Sequence, residues 1–316
     1  MFGISHIIEE QVPPNLRLDR YISEVLHLIS RSQIKARKLK AKINGKDVKL
    51  SRLVKYKDIL ELSWEDSPPE NIVPQEILLE IIYEDERCVV INKSQGMVVH
   101  PGAGNRQGTM ANALCYRRLN MVNSDSSARP WSGLRPGIVH RLDKETSGII
   151  IAAYDEEAHA FLAQQFKSRK VRKMYMAIIN GTPKEKTGRI ETFIARDPKD
   201  RKRFSVSTYG KTALTFYKVV KSWGKYSLIL LRPRTGRTHQ LRVHLKYIGH
   251  SILGDSVYGY KDKYFPDATL MLHSKSLEIK LPPSASFCEE TQTHVFSAPM
   301  PERFKTVIEK LDSTNG

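Results

Sequence analysis

Between Leu18 and Ile29 apolar residues recur three and four apart, as Leu18, Tyr21, Ile22, Val25, Leu26 and Ile29, which is the stripe of an amphipathic helix. Ser30 or Ser32 stands where it could cap a second helix running through Ala41. Ile43-Asn44-Gly45-Lys46 then sets Asn-Gly between strand formers, a strong hairpin signal. Val48 and Leu50, then Ile59, Leu60 and Leu62, predict short strands.

From Asp66 to Pro74 the chain turns polar and proline-rich, which marks a boundary. The division expected is a small domain over 1–66, a linker over 67–76 and a larger domain over 77–316. In the larger part, Ile81–Tyr83 and Val89–Lys93 flank the acidic turn Glu84-Asp85-Glu86 as a hairpin. Thr109 is placed to cap a helix through Leu119, and residues 120–135 read as a polar loop. Gly148–Ala153 is a short apolar run, the pattern of a buried strand, and Asp155 begins a helix ending near Lys167. Strands follow around Tyr175–Ile179, Thr212–Val220 and Tyr226–Leu231, with a helix over Gln240–Tyr247. Strands without regular helical alternation point to an α+β domain rather than a doubly wound one, and no internal repeat is visible.

Composition adds a partner to this picture. Hydrophobic residues make up 40% and charged residues 27% of the 316, the balance of a folded globular chain. The formal charge of +17 is not ordinary, and it argues for a polyanion whose counterions a basic surface can displace. From Arg31 to Lys57 there are eleven Lys and Arg against the single acid Asp47, a density suited to lying along phosphates. Cys88, Cys115 and Cys288 are odd in number and far apart, so neither a disulfide framework nor a thiolate metal site is suggested. The N-terminus lacks a basic start followed by an apolar stretch, and no run approaches the ~20 apolar residues of a membrane helix. A cytoplasmic protein, with no membrane role and no obligate protein partner, is expected.

The densest chemistry lies in Gly137-Ile138-Val139-His140-Arg141-Leu142-Asp143-Lys144-Glu145-Thr146-Ser147-Gly148. Asp143 sits in a polar turn between two apolar runs, and a loop carboxylate held beside a strand is well placed for catalysis. On spacing alone, such an Asp is more often a turn residue. The whole sequence His-Arg-Leu-Asp-x-x-Thr-Ser-Gly, however, resembles the signature of the RluA-type pseudouridine synthases, with every fixed position present. Lys173-Met174-Tyr175-Met176-Ala177 and Arg234-Thr235-Gly236-Arg237-Thr238-His239-Gln240-Leu241-Arg242 resemble that family's second and third motifs, in the same chain order. Asn92-Lys93 with His100-Pro101-Gly102 matches a supporting element, although Ser94 stands where proline is usual. Gly254-Asp255 and Leu272-His273-Ser274 resemble the family's C-terminal end.

The resemblance implies a pseudouridine synthase fold, with a mixed, largely antiparallel sheet flanked by helices and loops. It implies that Asp143 is the catalytic aspartate, that Tyr175 stacks on the target base, and that Arg242 pairs with Asp143. Arg141 and His140 would touch the RNA near the extruded base, Arg237 a phosphate, and Lys93 the substrate. Leu228 falls where an apolar residue packs near the base. The front end, through Leu16–Tyr21, Ser30-Arg31-Ser32-Gln33 and Ile43–Lys46, resembles the small α/β RNA-binding domain named after ribosomal protein S-four, with Lys57 where that family usually has glycine before Asp58. Arg31, Lys35, Arg37, Lys38, Lys42 and Lys46 are its candidate RNA contacts.

Such an enzyme breaks the N-glycosidic bond of a uridine, turns the uracil and rejoins it through carbon, so neither redox cofactor nor metal is called for. One carboxylate can serve as nucleophile or as base, and an adjacent Arg can aim it through a bidentate pair. A base hydrolase would want two carboxylates about the bond, and nothing marks Glu145 as a partner. A purely RNA-binding protein would leave Asp143, Tyr175 and Arg242 unexplained. His239 and His244 are five apart and no acid or thiol completes a metal site, so they are expected to pack or face phosphate. Ribosomal RNA of the large subunit is the expected substrate, with transfer RNA the alternative.

Overall fold

A computed structural model describes residues 2–9, 12–26, 28, 34, 38–64, 72–102, 104–124, 137–200, 202–283 and 292–314. The chain divides into two compact units, Met1–Asn71 and Ile72–Gly316.

The first unit is a four-stranded antiparallel sheet in the order β1-β4-β2-β3, from β1 (Phe2–Ile7), β2 (Lys40–Ile43), β3 (Lys46–Asp47) and β4 (Ile59–Trp64). Period-two alternation makes it one-sided: Ala41 and Ile43 are buried while Lys40 and Lys42 are exposed. Its core gathers Ile8, Leu18, Ile22, Ile34, Leu60 and Leu62. The Asn44-Gly45 hairpin forms as expected, with both φ angles positive (52° and 75°), the backbone that matches the twist of two strands. Lys57 also takes a left-handed φ of 65°, a conformation glycine adopts without strain.

Three expectations need correction here. The first helix is regular only over α1 (Leu18–Arg20) and continues over Tyr21–Val25 in wider turns, with Leu26 N–H donating to the Tyr21 carbonyl. The second helix does not reach Ala41: Lys38 adopts φ 48° and the alternating Lys40–Ile43 is strand, while Ser30, Ser32 and 35–37 lie outside the described residues. Val48 and Leu50 fall beyond β3, which ends at Asp47.

The second unit holds α+β structure around a sheet of eleven described strands. Its main path runs β11-β10-β12-β13-β9-β14-β8-β6-β5, from β5 (Ile81–Glu84), β6 (Cys88–Lys93), β8 (Ser147–Ala153), β9 (Arg172–Asn180), β10 (Thr187–Arg196), β11 (Phe204–Ser207), β12 (Lys211–Ser222), β13 (Tyr226–Pro233) and β14 (Leu272–Lys280). The short β7 (Gly137–Ile138) joins β8 and β15 (Thr293–Ser297) joins β14. Pairing is antiparallel except for β14 on β8, so the sheet is mixed and largely antiparallel, as the resemblance implied.

The run of isoleucines in β8 has a physical reason. Ile150 and Ala152 enter one core while Ile149, Ile151 and Ala153 enter another, so both faces of this strand are covered. Beneath the first face lie α2 (Met110–Ser124), through Met110 and Leu114, and α5 (Glu302–Thr314), through Phe304, Val307 and Leu311. The second face is closed by Ala158 and Leu162 of α3 (Glu156–Lys167), whose first turn is capped by Asp155 accepting from Ala158 N–H at 2.8 Å. Helix α2 runs five residues further than expected, into the stretch read as loop; 125–136 lie outside the described residues.

Where β8 meets β14, Gly148 has φ 109° and a Cβ there would stand 2.2 Å from the Ser274 carbonyl oxygen. Only glycine lets these two backbones close, and Ser274 pairs in turn with Tyr175 on β9. Helix α4 (Gln240–Tyr247) follows β13 at the expected bounds. Among the described residues no helix is long and apolar enough to cross a membrane.

Candidate active site

The turn carrying Asp143 lies between β7 and β8 and is closed by Thr146 N–H on the Asp143 carbonyl at 3.0 Å. It is gripped from outside by the turn after β6. The Lys144 carbonyl accepts from Lys93 Nζ (3.1 Å) and Gly96 N–H (2.9 Å), and the Glu145 carbonyl accepts from Gln95 Nε2 (2.9 Å). Leu142 is sunk in the core, so Asp143 is turned outward on a rigid base with 22% of its side chain exposed.

Asp143 opens into a cleft of about 460 Å³, bordered by Arg141, Tyr175, Pro233, Arg237, His239, Arg242 and Leu272 among others. Tyr175 is buried on β9, its hydroxyl pushed up to about 12 by burial, against the pull of a Ser274 hydrogen bond and with the Asp143 charge adding to the rise. It therefore stays a neutral, flat wall. Arg141 is exposed at the cleft, and half-buried Arg237 donates through Nε to the Thr212 carbonyl at 3.0 Å.

Arg242, 6% exposed on α4, lies beside Asp143, with Nη1 3.8 Å from Oδ2. The bidentate pair expected between them is made elsewhere: Nε and Nη2 donate to the two carboxylate oxygens of Asp255 at 2.8 and 2.7 Å. Asp255 is fully covered and also accepts the Val257 and Tyr258 N–H groups. Burial alone would raise its carboxyl, but Arg242 and these backbone donors outweigh that and hold it below the usual carboxylate range. Asp255 was legible only as part of a motif, with no role attached.

Two sequence-based assignments do not reach the cleft. Lys93 is 1% exposed, and its ammonium donates to the carbonyls of Ser94, Met97 and Lys144, so it holds the Asp143 turn rather than substrate. Burial pulls it down to about 8, partly offset by the Glu145 and Asp143 charges. Leu228 pairs with Ile178, whereas Tyr175 pairs with Leu231. Three residues along a strand reverse the face, so Leu228 points away from Tyr175. Leu272, which pairs with Ala177 and shares the Tyr175 face, supplies apolar wall instead.

His140 borders the cleft, but its Nε2 accepts Ile151 N–H at 3.0 Å and its ring stacks on Phe166 at 4.4 Å. Burial, then the Lys173 charge, pulls it down to about 3, so it is a neutral part of the wall. His244 is packed, both ring nitrogens bonded at 3.0 Å to Thr192 and Thr215 hydroxyls. His239 is not: its Nε2 stands 3.9 Å from Asp143 Oδ2. Lys173, two residues before Tyr175 on β9, also borders the cleft, with burial lowering its ammonium. Of the candidate RNA contacts in the first unit, Lys38, Lys42 and Lys46 are exposed, and Arg31, Lys35 and Arg37 lie outside the described residues.

Asp143, Arg242 and Tyr175 thus border one cleft, together with the cations Arg141, Lys173 and Arg237. The family described as RNA pseudouridylate synthase matches residues 87–247. Over 272 residues the chain is 46% identical to a ribosomal large subunit pseudouridine synthase D of Borreliella burgdorferi, covering 84% of this chain and 82% of that one. It is 39% identical over 317 residues to an RNA pseudouridine synthase of Aquifex aeolicus, covering 98% of each. Among solved structures, human RNA pseudouridylate synthase domain containing 1 superposes with a TM-score of 0.53 at 25% identity, over 75% of this chain and 96% of that one. The chain belongs to the RNA pseudouridine synthase family, whose members are isomerases.

Proposed function

We propose that this enzyme isomerises uridines of large-subunit ribosomal RNA, with Asp143 as catalytic carboxylate, Tyr175 as the surface against which the uracil lies and Arg242 as the neighbouring cation. The reading rests above all on Asp143 opening into the same cleft as Tyr175, with Arg242 Nη1 3.8 Å from its Oδ2. Bond N1–C1′ breaks, C5–C1′ forms, the C5 proton leaves and N1 gains one, so product and substrate have equal mass. A base must leave its stack to reach Tyr175, and Arg141 at the cleft is suited to the space it vacates. Arg237 serves a phosphate. Ribosomal RNA is favoured by the names of relatives that share up to 46% of their residues with this chain.

The first unit acts as an S-four-like RNA grip, through exposed Lys38, Lys42 and Lys46 and the basic residues around them. We extend the proposal to a cytoplasmic monomer, with Asp143, Tyr175 and Arg242 all bordering the cleft from one chain. Two measurements test the reading. Purified Asp143→Asn protein should bind ribosomal RNA fragments as tightly as the parent and form no pseudouridine. Pseudouridine maps of cells lacking the gene should lose sites in large-subunit ribosomal RNA; loss confined to transfer RNA would overturn the substrate assignment.

A further inference from the structure

His239 is the residue before α4 and holds a left-handed backbone, φ 56°, which a non-glycine residue adopts only when its surroundings require it. Its surroundings are specific. Nδ1 lies 2.8 Å from the Tyr258 hydroxyl oxygen, and that oxygen accepts Phe204 N–H, also at 2.8 Å. Tyr258 is buried, and both its ring and that of Phe204 stand edge-on to the imidazole. The other ring nitrogen, Nε2, faces Asp143 Oδ2 at 3.9 Å.

These contacts choose a tautomer. Phe204 N–H fills one acceptor position of the Tyr258 oxygen, and donation of the phenol hydrogen to Nδ1 completes that hydroxyl's bonding. Nε2 then carries the proton and points it at the carboxylate. The opposite tautomer would aim a lone pair at an anion 3.9 Å away. Among the described residues, Asp143, Arg242, Asp255 and Arg141 carry charges close enough to act on the ring electrostatically. Arg242 Nη1 approaches the same carboxylate oxygen, at 3.8 Å.

We infer that His239 is a positioning residue for the reaction, preset by Tyr258 as an Nε2–H donor that joins Arg242 on Oδ2 of Asp143 and so leaves Oδ1 for the substrate. At 3.9 Å the approach is a charge–dipole contact, longer than a hydrogen bond; it is expected to tighten in the RNA complex, as catalytic contacts that are long in a free enzyme commonly do. The inference rests on the proposed role of Asp143.

The test compares His239→Gln, His239→Asn and His239→Phe with the parent, in single-turnover and steady-state assays on a ribosomal RNA fragment. Glutamine can put an amide N–H near the Nε2 position, whereas asparagine cannot reach it but suits the left-handed backbone better. Asparagine and phenylalanine should lower kcat about 10- to 100-fold with KM for RNA nearly unchanged, the cost of losing one preset donor. Glutamine should recover kcat to within roughly 5-fold of the parent, and Tyr258→Phe should lie between. Parental kcat in both the asparagine and phenylalanine variants, or glutamine as slow as phenylalanine, would overturn the inference. Asp143→Asn is run alongside: its inactivity with fully active His239 variants refutes the His239 role alone, while its activity refutes both.

Discussion

Arg242 gives its two-pronged hydrogen bond to Asp255 and meets Asp143 edge-on through Nη1. The guanidinium is thus fixed by a partner that no solvent reaches, and its free edge is what the cleft sees. Such an arrangement keeps the cation in place before and after the reaction, whatever Asp143 does chemically.

Asp255→Asn should therefore be damaging although Asp255 lies outside the cleft. One of the two charge-assisted bonds is lost, and a guanidinium that is 6% exposed keeps only the more distant Asp143 as counter-charge. Breaking a buried pair from one side costs about 3–5 kcal/mol, so the urea midpoint should fall clearly. Activity should drop by about 100-fold, since Arg242 is free to swing toward Asp143 or away from it. A variant with parental stability would show that Arg242 needs no anchor.

How far the sequence carried depends on whether a residue's task is local. Asp155 capping Ala158, the Asn44-Gly45 turn and the isoleucine run of β8 are decided within a few positions, and they form as expected. The motif spacing likewise brought Asp143, Tyr175 and Arg242 to one cleft. What it could not carry is which partner each polar group meets across the fold. Asp255 is 13 residues from Arg242 and Lys93 is 51 from Lys144, and nothing in composition or periodicity says that these pairs close. Leu228 failed for a simpler reason: its strand was right, but the face follows from register with β9, which no single strand reveals.

Lys93 supplies the second prediction. Lys93→Met preserves the length of the side chain and removes donors from the carbonyls of Ser94, Met97 and Lys144. The turn holding Asp143 loosens, so kcat should fall about 10- to 100-fold, the range expected when a reacting group shifts by about 1 Å. KM for RNA should stay within about 2-fold. A raised KM with normal kcat would instead mean that Lys93 touches substrate.

Buried histidines make the second unit sensitive to acid. His244 and His273 are fully buried, and burial first of all pulls each down to about 4. Both pKa values are depressed by folding, so between about 4 and about 6.5 the unfolded chain binds more protons and stability rises with pH. The contribution is whole above about 6.5 and is lost as pH falls toward 4. At about pH 5 each histidine should have cost roughly 2 kcal/mol, measurable as a lower urea midpoint than at about pH 7. His244→Gln should flatten part of that slope. Equal midpoints at the two pH values would show that these rings are protonated within the fold.

The apolar side of the cleft separates geometry from resemblance. Leu272 pairs with Ala177 and so shares a face with Tyr175, whereas Leu228 pairs with Ile178 and points the other way, against the core. Leu272→Ala removes a surface that borders the cleft, and kcat/KM on RNA should fall about 10-fold as the uracil loses contact and orientation. It should also cost about 2–4 kcal/mol of stability, because Leu272 is itself 3% exposed. Leu228→Ala should destabilise by a smaller amount, about 1–2 kcal/mol for a half-buried leucine, with kcat/KM within about 2-fold of the parent below its melting point. The ratio of the two effects on activity is the decisive quantity: if Leu228→Ala is the slower enzyme at equal folded fraction, the uracil lies on the opposite face of β9 and β13, and Tyr175 is not its wall.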